Sequence, residues 1–325
     1  MSMNREAITY LVTGGCGFVG SYVIRDLLEE GAKVIVYDFK IHQGLLKKIV
    51  NQERLEEVIF VQGEILDFFH LMSVIKTHKV RRIIHLASLM TFAAEENPPM
   101  AIDVISKGTL NVFETARIQE IEKVVWASSI AVFGAHGSHE EEGISNDTPH
   151  RPNTMYGACK SLNEYVASAY VDKYGMDIVG LRYTVAYGPG RVGASKSAFA
   201  TEMIRKGALQ EPHEVPYSDD AIDWQYVEDI SRLTVTVSKS QRTETRVFNT
   251  RGDLRPVKEV VDYIKGLVPG AQFTLKKGTF GICMNFDTTR LEEEIGFEPR
   301  YPMERGVLKT LNAFRREAGL EEVKE

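Results

Sequence analysis

The sequence lacks any uninterrupted apolar run of about 18 residues, the length a bilayer-spanning helix requires, so its 325 residues offer no candidate membrane segment. The start, Met1-Ser2-Met3-Asn4-Arg5-Glu6, runs straight into a strand-like stretch without the longer apolar core of a secretion signal. Cysteine is scarce. Cys16, Cys159 and Cys283 are odd in number, far apart and never arranged as CxxC, which argues against a disulfide framework and for reduced thiols in a cytoplasmic setting. Lys and Arg number 39 against 45 Asp and Glu and form only short pairs such as Lys47-Lys48 and Arg315-Arg316. Phosphate-backbone binding needs clustered cations, so nucleic acid is not an expected partner. Only 11 Pro stand against 15 Phe and 13 Tyr, the balance of a folded chain with a sizeable core, in one large domain or two modest ones.

Short β-branched runs alternate with helical periodicity through the first half. Segments 8–13, 33–38, 58–61, 82–86, 123–128 and 177–182 read as strands; 18–30, 70–77, 101–119 and 155–174 read as helices. Several strand runs are apolar throughout, as in Val34-Ile35-Val36, which suits strands covered on both faces. Alternation at this spacing predicts an α/β fold, a doubly wound parallel sheet with right-handed crossovers. Beyond about residue 182 the pattern loosens into shorter helices, 256–268 and 301–317, among most of the late Pro and Gly. The expected organisation is a dinucleotide-binding domain from 1–183 and 219–250, with a smaller C-terminal substrate-binding lobe from 184–218 and 251–325.

After the first strand comes Thr13-Gly14-Gly15-Cys16-Gly17-Phe18-Val19-Gly20, readable as GxGxxG or GxxGxxG. Glycines permit a tight turn and let backbone N–H groups approach a pyrophosphate at a helix N-terminus. The second strand ends in Asp38, the acidic position expected to bind the adenosine ribose hydroxyls and repel a 2′-phosphate. That combination predicts NAD as cofactor.

Tyr156-Gly157-Ala158-Cys159-Lys160 opens the helical segment 155–174, and a spacing of four puts Tyr156 and Lys160 on one helix face. Lowering a phenol from about pKa 10 by three units needs roughly 4 kcal/mol of preferential phenolate stabilisation, the order of magnitude a nearby ammonium supplies. Taken alone, the pair could be a surface Lys beside a packing Tyr. Ser128-Ser129, at the carboxyl end of the fifth strand where such sheets hold their ligands, supplies the missing hydroxyl. Ser129, Tyr156 and Lys160 together make a hydride-transfer site.

The sequence resembles the extended short-chain dehydrogenase/reductases, the NAD-dependent epimerase/dehydratase family. TGGCGFVG (13–20), YD (37–38), GEILD (63–67), HLAS (85–88), KVVWASSIAVFG (123–134), YGACK (156–160), LRYTVAYGPG (181–190), YVEDIS (226–231) and FDTTRLEEEIGFEP (286–299) carry the resemblance across nearly the whole chain. It implies a Rossmann domain, a C-terminal substrate lobe and a homodimer built from helices like 101–119 and 155–174. It places Gly14, Gly17 and Gly20 on the phosphates with Phe18 and Val19 beside them, Asp38 on ribose, Glu64 and Ile65 near adenine, and Leu86 and Ala87 along the cofactor. Ser129, Tyr156 and Lys160 fall on catalysis.

Departures from the pattern bear on the substrate. Val185 stands where sugar-nucleotide enzymes of the family have Asn, and Ile222 where they have the Arg that holds a diphosphate. Without such charge-assisted contacts a buried diphosphate is poorly held. Ile130 and Ala131 replace the acid pair of the sugar dehydratases, which disfavours dehydration. MTFAAEENP (90–98) resembles the L-threonine 3-dehydrogenase branch. The expectation is an NAD-dependent oxidoreductase acting on a secondary alcohol or ketone of a small substrate, with a nucleotide-sugar 4-epimerase as the alternative and a non-catalytic NAD-sensing protein as the third reading. Ser88, Thr91, Phe133 and Val185, with Met90 and Tyr187, are candidate substrate-pocket wall. His136 and His139 lack further ligand spacing, so no metal is expected; His85 reads as a bonded interior residue and not a base.

Overall fold

The computed structural model describes residues 7–135, 143–193, 196–282 and 284–324; Met1–Glu6, His136, His139 and Cys283 lie outside them. From the N-terminus the chain runs through β1 (Thr9–Thr13), α1 (Phe18–Glu29), β2 (Lys33–Asp38), α2 (Leu46–Ile49), α3 (Gln52–Glu56), β3 (Ile59–Gln62), α4 (Phe68–Thr77) and β4 (Arg82–His85). It continues with α5 (Thr91–Glu96), α6 (Pro98–Ala101), a π turn at Ile102–Lys107, α7 (Gly108–Ile118), β5 (Lys123–Ser129), a 3-10 turn at Ile130–Phe133, α8 (Met155–Tyr174) and β6 (Ile178–Tyr183). The later part holds β7 (Val185–Tyr187), α9 (Ala198–Ala208), β8 (His213–Val215), β9 (Ala221–Tyr226), α10 (Val227–Lys239) and β10 (Val247–Asn249). It closes with β11 (Asp253–Pro256), α11 (Val257–Leu267), β12 (Phe273–Leu275), α12 (Thr289–Ile295) and α13 (Met303–Glu317).

Seven strands form one sheet in the order β10-β6-β5-β4-β1-β2-β3, every neighbouring pair parallel. This is the doubly wound sheet expected from the alternating pattern. Because side chains alternate across a strand, Leu11, Ile35, Ile83, Val124 and Ile178 pack on one face with Leu71 of α4, Val112 of α7 and Ala167 of α8. On the other face Val12, Val36 and Ile84 meet Val23, Ile24 and Leu27 of α1, while Val125, Val179 and Leu181 meet Ile230 and Leu233 of α10. Each such fully buried aliphatic side chain contributes about 1.5–3 kcal/mol. The strand order reverses between β1 and β4, so a crevice opens at their carboxyl ends, the ligand position in such sheets.

A second sheet, β11-β9-β7, takes one strand from each of the segments 184–218, 219–250 and 251–325. β9 thus pairs with β7 and β11, whereas α10 and β10, which follow it, belong to the main sheet. The single helix expected over 101–119 is interrupted by the π turn, where the Ile105 carbonyl accepts from the Thr109 hydroxyl at 2.6 Å and Asn163 Nδ2 at 2.9 Å. No helix among the described residues is long and apolar enough to cross a membrane.

Candidate active site

The glycine turn is shaped by close backbone approach. Gly14 adopts φ +69°, and a Cβ there would sit 2.7 Å from the Ala87 nitrogen, so β1 and the loop after β4 touch. A Cβ on Gly20 would lie 2.4 Å from the Gly14 carbonyl, so only glycine lets α1 start this close to the turn. Gly17 caps α1 with no side-chain bond and is exposed, and no acidic residue occupies the first helical turn. Open N–H groups and the positive end of the helix dipole are therefore presented to an anion such as a pyrophosphate. Phe18 and Val19 are partly buried beside it.

Asp38 ends β2 at 8% exposure, and its Oδ2 accepts from the Cys16 N–H at 3.0 Å, which fixes the carboxylate across the turn. Glu64 is exposed; its carbonyl accepts from the Tyr37 hydroxyl, and Ile65 is buried next to it. Leu86 and Ala87 donate their N–H groups to Thr13, its carbonyl and its hydroxyl respectively, which draws the loop after β4 along the crevice. These predicted cofactor residues thus all lie at the carboxyl ends of β1, β2, β3 and β4, in the loops that follow them or in the first turn of α1.

The Thr154 side chain caps α8 by accepting from Gly157 N–H at 3.0 Å. A Cβ on Gly157 would lie 2.4 Å from the Ala131 carbonyl, so the start of α8 presses on the turn that follows β5. That contact brings Tyr156 beside Ser129, whose hydroxyl acts to lower the phenol's pKa. Lys160, 3% exposed, donates from Nζ to the Ala127 carbonyl at 2.7 Å and lies 5.5 Å from the Tyr156 ring centroid. Burial pushes its pKa down to about 8, with Cys159 and then the Glu164 carboxylate acting in the opposite direction.

Burial raises the Tyr156 phenol above its ordinary value, and the groups that pull it down are the Ser129 hydroxyl and Arg191. Lys160 Nζ is held on a backbone carbonyl 5.5 Å from the Tyr156 ring centroid, and Arg191 is a further positive charge acting on the phenol. Arg191 was missed because it lies one residue past the LRYTVAYGPG motif, in the loop leading to α9. Its guanidinium stacks over Phe18 at 5.4 Å and donates to the Ser197 hydroxyl at 2.6 Å, so it bridges the glycine turn and the second half of the chain.

The expected pocket wall divides. Ser88, Met90 and Thr91 sit at the crevice edge, with Ser88 Oγ donating to the Leu89 carbonyl. Phe133, Val185 and Tyr187, in contrast, are 0%, 1% and 0% exposed. Phe133 lies beneath the Arg182 guanidinium and against Phe286, and Val185 and Tyr187 belong to the β7 core, so none of the three faces the crevice. Ile222 is likewise fully buried. His85 is interior, with Nδ1 at 2.7 Å from Thr13 Oγ1 and Nε2 at 3.0 Å from Thr109 Oγ1; burial pushes its pKa down to about 3, where it stays neutral. Among the described residues no group of three or more His, Cys, Asp or Glu is placed to hold a metal ion.

Residues 10–250 match the NAD dependent epimerase/dehydratase family. The chain is 28% identical over 320 residues to UDP-glucuronate 4-epimerase of Thermodesulfobacterium geofontis, covering 93% of this chain and 95% of that protein. Two solved structures share the fold. UDP-glucose 4-epimerase of Thermus thermophilus, a complex with NAD, superposes with a TM-score of 0.80 at 24% identity over 95% of this chain and 99% of that one. L-threonine dehydrogenase from Phytophthora infestans gives a TM-score of 0.85 at 22% identity, over 96% and 100%.

Proposed function

The chain belongs to the NAD dependent epimerase/dehydratase family, and from that premise we propose that it is an oxidoreductase acting at a secondary carbinol or its ketone, with Ser129, Tyr156 and Lys160 as its catalytic residues. The cofactor is NAD, which when bound accepts and returns a hydride. The observation that carries the reading is the convergence of a buried Lys160, Tyr156 and the Ser129 hydroxyl at the crevice where the glycine turn opens. Ser129 holds the substrate oxygen, and Tyr156 takes or returns its proton at the phenolic oxygen. Lys160 holds the nicotinamide-side ribose and supplies positive charge to the phenolate.

We infer that Arg191, whose guanidinium lies over Phe18 beside the glycine turn, would favour a substrate that carries an anionic group. UDP-glucuronate and L-threonine, the compounds in the names of the relatives, both combine a secondary hydroxyl with a carboxylate. The identity with UDP-glucuronate 4-epimerase over nearly the full chain favours a second reading, epimerisation through a transient ketone that is reduced again before release. We further propose a homodimer formed through α7 and α8.

A panel of β-hydroxy amino acids, hydroxy acids and UDP-sugars, UDP-glucuronate among them, separates the readings. Net NADH absorbance is expected for a dehydrogenase; interconversion of sugar isomers without it marks an epimerase. Tyr156→Phe is expected to lower turnover at least about a hundredfold, the range of general acid–base contributions, while NAD affinity stays within a few-fold. Full activity in that variant would remove Tyr156 from the chemistry.

A further inference from the structure

Behind the catalytic side chains lies a closed polar cluster. Glu164 stands one turn beyond Lys160 on α8, so Tyr156, Lys160 and Glu164 repeat every four residues along one face. Its Oε1 accepts from the Ser128 hydroxyl at 2.5 Å and from Arg182 Nε at 2.9 Å; its Oε2 accepts from Arg182 Nη2 at 2.7 Å. Arg182 also donates to the Asn146 carbonyl at 3.0 Å and Asn249 Oδ1 at 2.9 Å, and its guanidinium covers Phe133. His150 Nε2 lies 3.1 Å from Glu164 Oε2, with Nδ1 2.8 Å from the Ser161 hydroxyl. Glu164, Arg182 and Ser128 are 6%, 3% and 2% exposed, so each charge is removed from water and held by fixed partners.

An aliphatic cluster of similar volume would pack the same space, and a buried ion pair is weak evidence for stability alone. Its placement suggests another role. Ser128 precedes Ser129 on β5, and in the sheet Ser128 and Ser129 pair with Arg182 and Tyr183 of β6. One carboxylate therefore ties the end of β5, the end of β6 and the catalytic face of α8 to one another. We propose that Glu164 is a positioning residue: through Ser128 and Arg182 it holds Ser129 in register with Tyr156, and it sets a carboxylate one helical turn from Lys160. Resting on the oxidoreductase reading, this assigns to Glu164 the alignment on which proton transfer depends, since misplacement by about 1 Å can cost two orders of magnitude in rate.

The charged and titratable groups around Lys160 are Tyr156, Cys159 and Glu164 on its own helix and His85 from β4. His85 is neutral, and Glu164 is the carboxylate among them. The test compares Ser128→Ala and Glu164→Gln with the parent protein saturated with NAD. Ser128→Ala removes one hydroxyl and no charge. It is expected to lower kcat at least tenfold on whichever panel substrate turns over, with KM and NAD affinity within twofold and cooperative thermal unfolding retained. A purely structural role would lower the melting temperature and leave kcat per folded molecule unchanged.

Glu164→Gln is expected to move the Lys160 titration to lower pH by a unit or more, read by NMR of 13Cε-labelled lysine and assigned with Lys160→Met. Where Glu164→Gln does not fold, the Ser128→Ala kcat decides. A kcat within twofold of the parent overturns the proposal; where no panel substrate turns over, an unmoved Lys160 titration does so. Absence of turnover across the panel counts against the oxidoreductase reading and leaves the lysine titration to judge Glu164 separately.

Discussion

Asp223 shows how one residue can run against stability. It is 2% exposed in β9, and its Oδ1 accepts from the Gly252 N–H at 2.6 Å and the Thr184 hydroxyl at 2.8 Å. Burial nevertheless dominates these bonds and pushes its carboxyl up to about 6, from an ordinary value of 3.8. A raised value means the folded chain holds the proton more tightly than the unfolded one. The contribution to stability is therefore full below about pH 4 and is lost as pH rises through about 6. Asp223→Asn keeps an acceptor oxygen for both donors and cannot ionise. It is expected to stabilise the protein at pH 7 by at most about 3 kcal/mol, two units at roughly 1.4 each, and to change little at pH 4. Calorimetric melting at the two pH values checks this; a gap that does not vary with pH would assign the effect to packing. Nothing in the sequence run IDWQYV signals that shift, because it arises from long-range burial. Ser129, Tyr156, Lys160 and Asp38 could be proposed from sequence because the chemistry that points to them is written in local spacing. Arg191 could not, since its neighbours Phe18 and Tyr156 are distant in sequence.

At the scale of elements, the parallel sheet could be read because strands covered on both faces are apolar throughout and helices between them bury one stripe. The glycine turn was legible for a related reason: three glycines between a strand and a helix have few other uses. Short strands were harder. β7, β8 and β12 have three residues each, too few for a period, and β9 looks like a Rossmann strand until its partners β7 and β11 are known. The π turn was invisible in local spacing, and Asn163, which donates to its Ile105 carbonyl, belongs to a different helix. Gly20 offers a test of the turn as a device. Its backbone is in no unusual conformation, so Gly20→Ala acts only through the Cβ that would lie 2.4 Å from the Gly14 carbonyl. Backbone on that side has nowhere to yield except by shifting α1, and NAD affinity is expected to fall at least tenfold by calorimetric titration. Gly266→Ala, in α11 where an added Cβ meets nothing within 4 Å, serves as the control. It is expected to leave NAD binding intact and raise stability by up to about 1 kcal/mol, the helix propensity difference. Equal NAD affinity in the two variants would mean that the close approach at Gly20 is not what shapes the cradle.

On the scale of the whole molecule, the chain's charge is arranged so that the expected diphosphate-binding cation at position 222 is a core isoleucine, while Arg191 sets its guanidinium over Phe18 beside the glycine turn. The outer surface shows a second asymmetry. α7 and α8 pack against one another on one face of the sheet, yet Leu110, Ile118, Leu162 and Tyr165 of these helices remain exposed, Tyr165 by 65%. Single exposed apolar residues are ordinary, but several on two adjacent helices are what a proposed association surface would use. A second copy of the chain is the occupant we propose, since two copies related by a twofold axis would set the same helix pair against itself and bury these residues mutually. The face lies behind the catalytic side of α8, so pairing would brace the helix that carries Tyr156 and Lys160 without covering the crevice. Leu162→Glu combined with Tyr165→Lys places opposite charges on one copy, and buried against their equivalents they would lose hydration with imperfect partners. The double variant is expected to sediment as a monomer at micromolar concentration where the parent sediments as a dimer, with NAD affinity within a few-fold. A parent that sediments as a monomer at the same concentration would leave the exposed residues without an association role and remove the dimer from the account.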